Sequence, residues 1–417
     1  MKIFFSLVIL LLFTGCNQNK EDKTVINFWA IGAEGEKVKL LIPEFEKLNP
    51  GIKVRVQQIP WTAAHEKLLT AYVGETLPDV FQIGNTWIPE FASLKTIEPL
   101  NNFIDNSNVI DSTNYFAGIW ETNIIDSVVY GIPWYVDTRV LFYRKDILEN
   151  AGYKEPPKTW EELYDLSKKI KALNPTNYSI FLPVNEWLPF ILFGMQNGSS
   201  LLKNDNTYGN FSGKEFVEAI EYLNNFYREK LAPSDMQQVQ NIYQAFEEGY
   251  FSMLITGPWN VTEMTNRLSS KMTGKWATAP LPSPNDSYPG FSLAGGASLV
   301  VNINSDKKES AWKLIEFLNQ KETQITFYRL VSSLPSLKDT WEYEELKSNP
   351  HMKAFYAQLL NTKPTPKIPE WEQIVFAKIQ NYAEVIASGK SGVKEASINL
   401  DSDVNKILEK RRWMLSR

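Results

Sequence analysis

Val25-Ile26-Asn27-Phe28-Trp29-Ala30-Ile31 is an apolar run of β-branched and aromatic residues, and such a run reads as a strand buried on both faces. Helical periodicity follows it. Val38, Leu41, Ile42, Phe45 and Leu48 recur at three- and four-residue steps with charges between them. Pro43 lies inside that pattern and predicts a kink, because it removes one helix hydrogen bond. Asn49-Pro50-Gly51 ends the element. Ile52, Val54 and Val56 then alternate with Lys53, Arg55 and Gln57 as a second strand. A helix from about Thr62 to Val73 leads through Pro78 into a third strand, Asp79 to Ile83. This β-α-β-α-β order predicts an α/β fold built on a mostly parallel, doubly wound sheet.

A second set of elements begins near Leu141-Phe142-Tyr143, which reads as a strand. Thr159-Trp160-Glu161-Glu162 has the capping-box form and opens a helix to about Leu173, and Ser212 with Glu215 and Asp306 with Glu309 repeat that signature. Trp371 to Trp413 reads as two further helices. Gly131-Ile132-Pro133, Pro280 to Pro289 and Leu334-Pro335 are candidate crossovers between domains.

The first residues read as a targeting segment. Lys2 precedes an apolar run from Ile3 to Phe13, too short to span a bilayer but of the length of a secretory core. Leu12-Phe13-Thr14-Gly15-Cys16 resembles a bacterial lipobox, although Phe13 stands where an aliphatic residue is usual. The resemblance implies cleavage before Cys16 and lipid on its thiol, with Asn17 to Lys23 as a tether. Ordinary secretory cleavage near Gly15 is the alternative. Cys16 is the single cysteine, so the mature chain suits an oxidising compartment without any disulfide.

Composition narrows the function. The 417 residues allow two or three domains, and the net charge of −5 argues against sequence-independent nucleic-acid binding, which needs a basic stripe. Two histidines, His65 and His351, and one cysteine leave little material for a metal or redox centre or a Ser-His or Cys-His system; both histidines read as surface or packing residues. Ser388-Gly389-Lys390-Ser391 lacks the first glycine of a phosphate-binding loop and joins two helices, so Gly389 reads as a helix end. Nothing here encodes ATP chemistry, and no cofactor is expected. The 13 Trp, 18 Tyr and 23 Phe are enough to fill a core and line a pocket.

Tyr130-Gly131-Ile132-Pro133-Trp134-Tyr135-Val136-Asp137-Thr138-Arg139, Leu141-Phe142-Tyr143-Arg144-Lys145-Asp146 and Pro156-Pro157-Lys158-Thr159-Trp160-Glu161-Glu162-Leu163 resemble the sugar-binding lipoproteins of bacterial ABC importers, the group that includes the maltose-binding protein. Leu77-Pro78-Asp79-Val80 with Trp87, Phe246 to Met253 leading into Gly257-Pro258-Trp259, Pro280-Leu281-Pro282 with Gly295-Gly296, and Pro366 to Pro369 agree in the same order. The resemblance implies a two-lobed periplasmic-binding-protein fold, with two sheets joined by hinge segments and ligand held between them. It divides the chain into 1–15 (signal peptide), 16–23 (tether), 24–135 with 282–334 (N-terminal lobe) and 136–281 with 335–417 (C-terminal lobe). Independently, open α/β sheets bind ligands beyond the carboxyl ends of their strands, which points to the loops after Ile31 and Ile83.

A sugar offers an apolar C–H face and a rim of hydroxyls. Aromatic planes cover the face, while carboxylate, amide and guanidinium groups hold hydroxyls. The resemblance places a sugar-binding carboxylate at Asp137, with Arg139 holding it or reaching the sugar; a structural hinge ion pair is the alternative. Trp259 matches a cleft aromatic, and Trp29 with Glu34 resembles the first binding loop, though Trp29 suits the core equally. Trp61 and Trp87 follow strands as possible platforms. Glu186, Trp187, Gln196 and Asn197 fall in a region of cleft contacts, and Trp371 follows the proline-rich turn of a late contact. Gly295 and Gly296 suit a close backbone approach.

The expected function is therefore a monomeric, lipid-anchored, extracytoplasmic receptor for a di- or oligosaccharide, delivering it to permease subunits driven by a separate ATPase. It is no enzyme in this reading. The alternatives are a glycoside hydrolase using Asp137 and Glu186, or a surface glycan-capturing lipoprotein without a permease.

Overall fold

The computed structural model describes residues 23–416; the signal segment and Cys16 lie outside them. In chain order the strands of the two main sheets are β1 (Thr24–Ile31), β2 (Ile52–Ile59), β3 (Val80–Gly84), β4 (Ile132–Asp137), β5 (Val140–Arg144), β6 (Ile180–Phe181), β7 (Met253–Thr256), β8 (Trp276–Ala279), β9 (Gly295–Val301) and β10 (Leu334–Pro335). One sheet has the order β10-β4-β9-β3-β1-β2 and the other β8-β5-β7-β6. In the first, β1 pairs in parallel with β2 and β3, whereas β9 runs antiparallel to both β3 and β4. Both sheets are thus mixed.

The alternation along β1 sorts its side chains into two layers. Ile26, Phe28 and Ala30 are wholly buried beside Phe45, Trp312 and Ile315 of the helices Ile42–Leu48 and Lys308–Leu318. Ile31, with half-buried Trp29, faces Ala64 and Leu68 of helix Trp61–Val73. Asn27 is exposed and its backbone N–H donates to Asp79 Oδ2 at 2.8 Å. The second sheet carries a larger helical core, built from Trp160–Leu173, Leu188–Gln196, Lys214–Arg228 and the C-terminal helices.

Pro43 divides the predicted helix instead of kinking it. Gly32–Lys37 is one helix, Val38–Leu40 a tight turn, and Ile42–Leu48 a second helix with Pro43 in its first turn, where a missing N–H costs nothing. Thr159 caps its helix by accepting from the Glu162 N–H at 3.1 Å, and the Glu162 carboxylate reaches back to the Lys158 N–H at 2.6 Å. The other two capping signatures do not act as caps. Ser212 precedes the cap residue Gly213 and gives its N–H and hydroxyl to Asp401, while Asp306 lies one residue before the cap position at Lys307. Gly389, at φ +72°, ends its helix as expected.

The chain passes between the sheets three times. Gly131-Ile132-Pro133 is not the first passage: it enters β4, and the chain crosses six residues later through Thr138 and Arg139 alone. Residues 280–294 return from β8 to β9, and the third passage follows β10. At the seam of β4 and β9, Gly296 has φ +120° and a Cβ there would stand 2.3 Å from the Tyr135 carbonyl. Gly296→Ala should therefore destabilise the protein by more than about 1 kcal/mol in urea unfolding. Gly51→Ala, where a Cβ meets open space, should stay within about 0.5 kcal/mol.

Candidate functional site

Strand direction collects the site. Parallel β1, β2 and β3 end at one edge, which places Glu34, Trp61 and Trp87 there, just beyond Ile31, Ile59 and Gly84. Because β9 is antiparallel to β3 and to β4, Gly295 pairs with Asp137 and Ala297 with Gly84 at the same edge. In the second sheet, Thr256 pairs with Val140, so Gly257-Pro258-Trp259 emerges next to Arg139. Parallel β6 and β7 bring the segment after Phe181 to that edge too.

Arg139, Glu186, Trp187, Tyr243, Trp259 and Phe376 are among the residues around a cavity of about 480 Å³. Arg139 Nη1 donates to Asp137 Oδ1 at 2.7 Å, and the guanidinium carbon stands 4.7 Å from the centre of the Trp259 ring. Trp259 is 46% exposed and Phe376 57%, and both stand at the same cavity. A Cβ on Gly295 would meet Asp137 Oδ1 at 2.3 Å, so glycine is needed for this carboxylate to lie against the strand.

On the opposite side, Glu34 accepts from the Ser333 hydroxyl at 2.7 Å. Trp61, 41% exposed, meets Trp87 edge to face at 5.9 Å. Behind them Gln82 accepts from the Ile31 N–H at 2.7 Å and donates to the Tyr135 hydroxyl at 2.9 Å. That buried link ties the end of β1 to β4, fixing the strand ends that carry Glu34 and Asp137. Burial, with the Glu34 and Asp137 charges adding, holds the Tyr135 hydroxyl well above its ordinary pKa, so it stays neutral.

Four expected contacts sit elsewhere. Trp29 lies mid-strand under helix Trp61–Val73 with Lys67 Nζ over its ring at 5.0 Å. Gln196 is buried, accepts from the Trp160 indole N–H at 2.9 Å and donates to the Phe291 carbonyl at 2.6 Å. Asn197 donates to the Glu215 carbonyl at 2.7 Å. Trp371 is wholly buried in the larger core; its helix presents Glu372, Phe376 and Gln380 instead, the last two lining the cavity. Sequence reasoning missed Phe376, and the signal for it was an apolar residue off the Trp371, Ile374, Val375 and Ile379 core stripe.

The two histidines pack, as their sequence context suggested. His351 stacks on Trp276 at 3.9 Å, and burial lowers its pKa to about 4. His65 Nε2 is 2.6 Å from Glu90 Oε2, which raises the imidazole pKa. Among the described residues no group of His, Cys, Asp and Glu could hold a metal ion, and no helix is long and apolar enough to cross a membrane.

Residues 29–325 match the family model described as bacterial extracellular solute-binding protein. The chain belongs to that family. A solved structure titled as the sugar-binding protein MalE from Xanthomonas citri is 44% identical, with a TM-score of 0.91 over 94% of this chain and all of that one. The diacetylchitobiose-binding protein DasA of Streptomyces coelicolor is 26% identical, aligned over 89% of this chain and 86% of its own length. The galactooligosaccharide-binding protein of Bacillus subtilis is 24% identical over 88% and 86%. This solute-binding protein therefore has the two-lobed architecture of the maltose-binding proteins, and its cavity opens at the strand ends of the second sheet, beside Arg139 on the line where the two sides meet.

Glu372 gives the solute-binding protein a pH-sensitive contact across that meeting line. Its helix touches Asn85–Trp87 of the first sheet's side, and its Oε1 is buried without a hydrogen-bond partner. Burial chiefly, with Glu90 adding, raises its pKa, against the opposing pull of Thr86, His65 and Trp87. An acid with a raised folded pKa holds its proton more tightly when folded, so stability falls as pH rises from the ordinary carboxylate range through the raised value. Glu372→Gln should raise Tm at pH 7.5, and the gain should vanish near pH 4 in a thermal-melting series.

Proposed function

We propose that the protein is a receptor for an uncharged di- or oligosaccharide, closing its two lobes on the sugar and delivering it to an ABC permease. The observation that carries this reading is the cavity itself, where Trp187, Tyr243, Trp259 and Phe376 supply flat apolar surface beside Asp137, Arg139 and Glu186. Flat rings suit pyranose C–H faces, and charged planar groups give hydroxyls their stronger hydrogen bonds, about 1.5–3 kcal/mol each. The names of DasA, the galactooligosaccharide-binding protein and MalE support a sugar ligand. Sheet membership supports a smaller lobe of residues 24–137 with 295–335, and a larger one of 140–279 with 336–416. Ligand touching both lobes shifts the population toward the closed form. The Leu12–Cys16 segment supports a lipid anchor on the extracytoplasmic side of the cell envelope.

A thermal-shift screen against mono-, di- and oligosaccharides tests the reading. A ligand at 100 times its Kd adds about 2.7 kcal/mol of stability, and silence across carbohydrates overturns the proposal. Incubation with the same sugars should leave them intact by chromatography, since released products would establish a hydrolase. Asp137→Asn and Trp259→Ala should each raise Kd at least about tenfold, the equivalent of about 1.4 kcal/mol. Phe376→Ala should raise it roughly three- to tenfold. Calorimetric titration measures all three.

A further inference from the structure

Arg139 sits in the two-residue passage between the sheets, and its backbone is pinned from the neighbouring passage. Its N–H donates to the Ser292 hydroxyl at 3.1 Å, while the hydroxyl of Thr138 donates to the Leu293 carbonyl at 3.1 Å. From that fixed root the side chain reaches in two directions. One guanidinium nitrogen is bound to Asp137, at the end of β4, and the guanidinium carbon stands over the Trp259 ring, on the helix that follows β7, 4.7 Å from its centre. The ring is also supported from below by the backbone. A Cβ on Gly257 would come within 2.1 Å of Cζ3, 2.3 Å of Cη2 and 2.7 Å of Cε3, so the six-membered half lies directly against Gly257. Part of the indole is thus taken up by the backbone, and Arg139 stands over the same ring.

A guanidinium and a pyranose compete for the same aromatic plane, because each needs to lie flat on it. We propose that Arg139 is a specificity-determining residue of the sugar site: a displaceable cover on Trp259, which the ligand replaces while the guanidinium stays tethered to Asp137. The inference rests on the sugar reading above. It makes net affinity the difference between two stackings on one ring. A ligand gains only if its apolar face covers the indole better than the guanidinium does, which favours closed sugar rings over open-chain polyols.

Two measurements test it. The first needs no ligand: acrylamide quenching of tryptophan fluorescence in Arg139→Gln against wild type. Uncovering Trp259 should increase the quenched fraction, and the increase should be absent in a Trp259→Phe background. Unchanged quenching overturns the cover and leaves the sugar reading untouched. The second is calorimetric titration with the oligosaccharide that gives the largest thermal shift. Arg139→Gln retains a donor for Asp137 but is too short to cover the ring, and Arg139→Lys retains the charge without the flat stack. Both should bind about two- to fivefold tighter than wild type, matching the strength of an exposed cation–ring contact. That gain should disappear when Trp259 is Ala. Weaker binding by both variants, with melting temperatures held, would make the guanidinium a direct sugar contact and overturn displacement. An equal gain without the indole overturns it as well. A wild-type protein that binds no carbohydrate removes the displacement together with the sugar reading.

Discussion

The antiparallel insertion of β9 between β3 and β4 is the constraint on which the site depends. β3 and β4 run the same way, joined by the long crossover of residues 85–131. β9 returns from the second sheet and lies antiparallel between them, so its start meets the ends of both: Gly295 pairs with Asp137, Gly296 with Val136 and Ala297 with Gly84. The price is steric: both glycines lie so close to β4 that a side chain would strike a carboxylate or a carbonyl. Close backbone approach and clustering of polar groups are thus two results of one register. The Gln82 side chain then braces that rim from behind, joining the backbone N–H of Ile31 on β1 to the Tyr135 hydroxyl on β4.

The charges around the cleft are organised in a way that favours neutral solutes. Asp137 is paired with Arg139, Glu34 with the Ser333 hydroxyl, and Glu186 is exposed at the cavity wall. Each of the first two carboxylates has one oxygen held by the protein, which orients the other without an ordering cost at binding. The cationic guanidinium beside the cavity is already engaged twice, by Asp137 and by the Trp259 ring. An anionic ligand would meet carboxylates and an occupied cation; hydroxyl donors would meet oriented acceptors.

The fold was legible where the chain obeys local rules, because strand alternation and helical spacing are consequences of burial that the sequence cannot hide. The β-α-β-α-β order from Val25 to Ile83 and the helix capped by Thr159 follow from such rules. What remained illegible depended on neighbours distant in the chain. Ser212 looks like a cap until Asp401, 189 residues away, takes its donors. Gln196 has the chemistry of a sugar contact, but Trp160 and Phe291 use both ends of its amide. Arg139, Glu186, Trp187 and Trp259 do stand at one cavity, with Asp137 bound to Arg139, because the resemblance supplied the tertiary context that composition lacks. The physics of open sheets pointed to the loops after β1 and β3, and strand direction does bring Glu34 and Trp87 to one edge of the first sheet.

Trp371 was expected at the cavity, where Phe376 of the same helical segment stands instead. Residues Val375–Ile379 form a π-helical stretch between α-helical flanks, and such a stretch lodges extra backbone within a turn. Each residue added to or taken from a helix rotates everything beyond it by about 100°. Phe376 lies in that stretch, off the buried stripe of Trp371, Ile374, Val375 and Ile379. Removing the residue before it would swing the aromatic away from the cavity by that angle, while everything on the N-terminal side kept its contacts. Insertions and deletions in one short helical stretch can therefore reshape the cavity wall without touching either sheet.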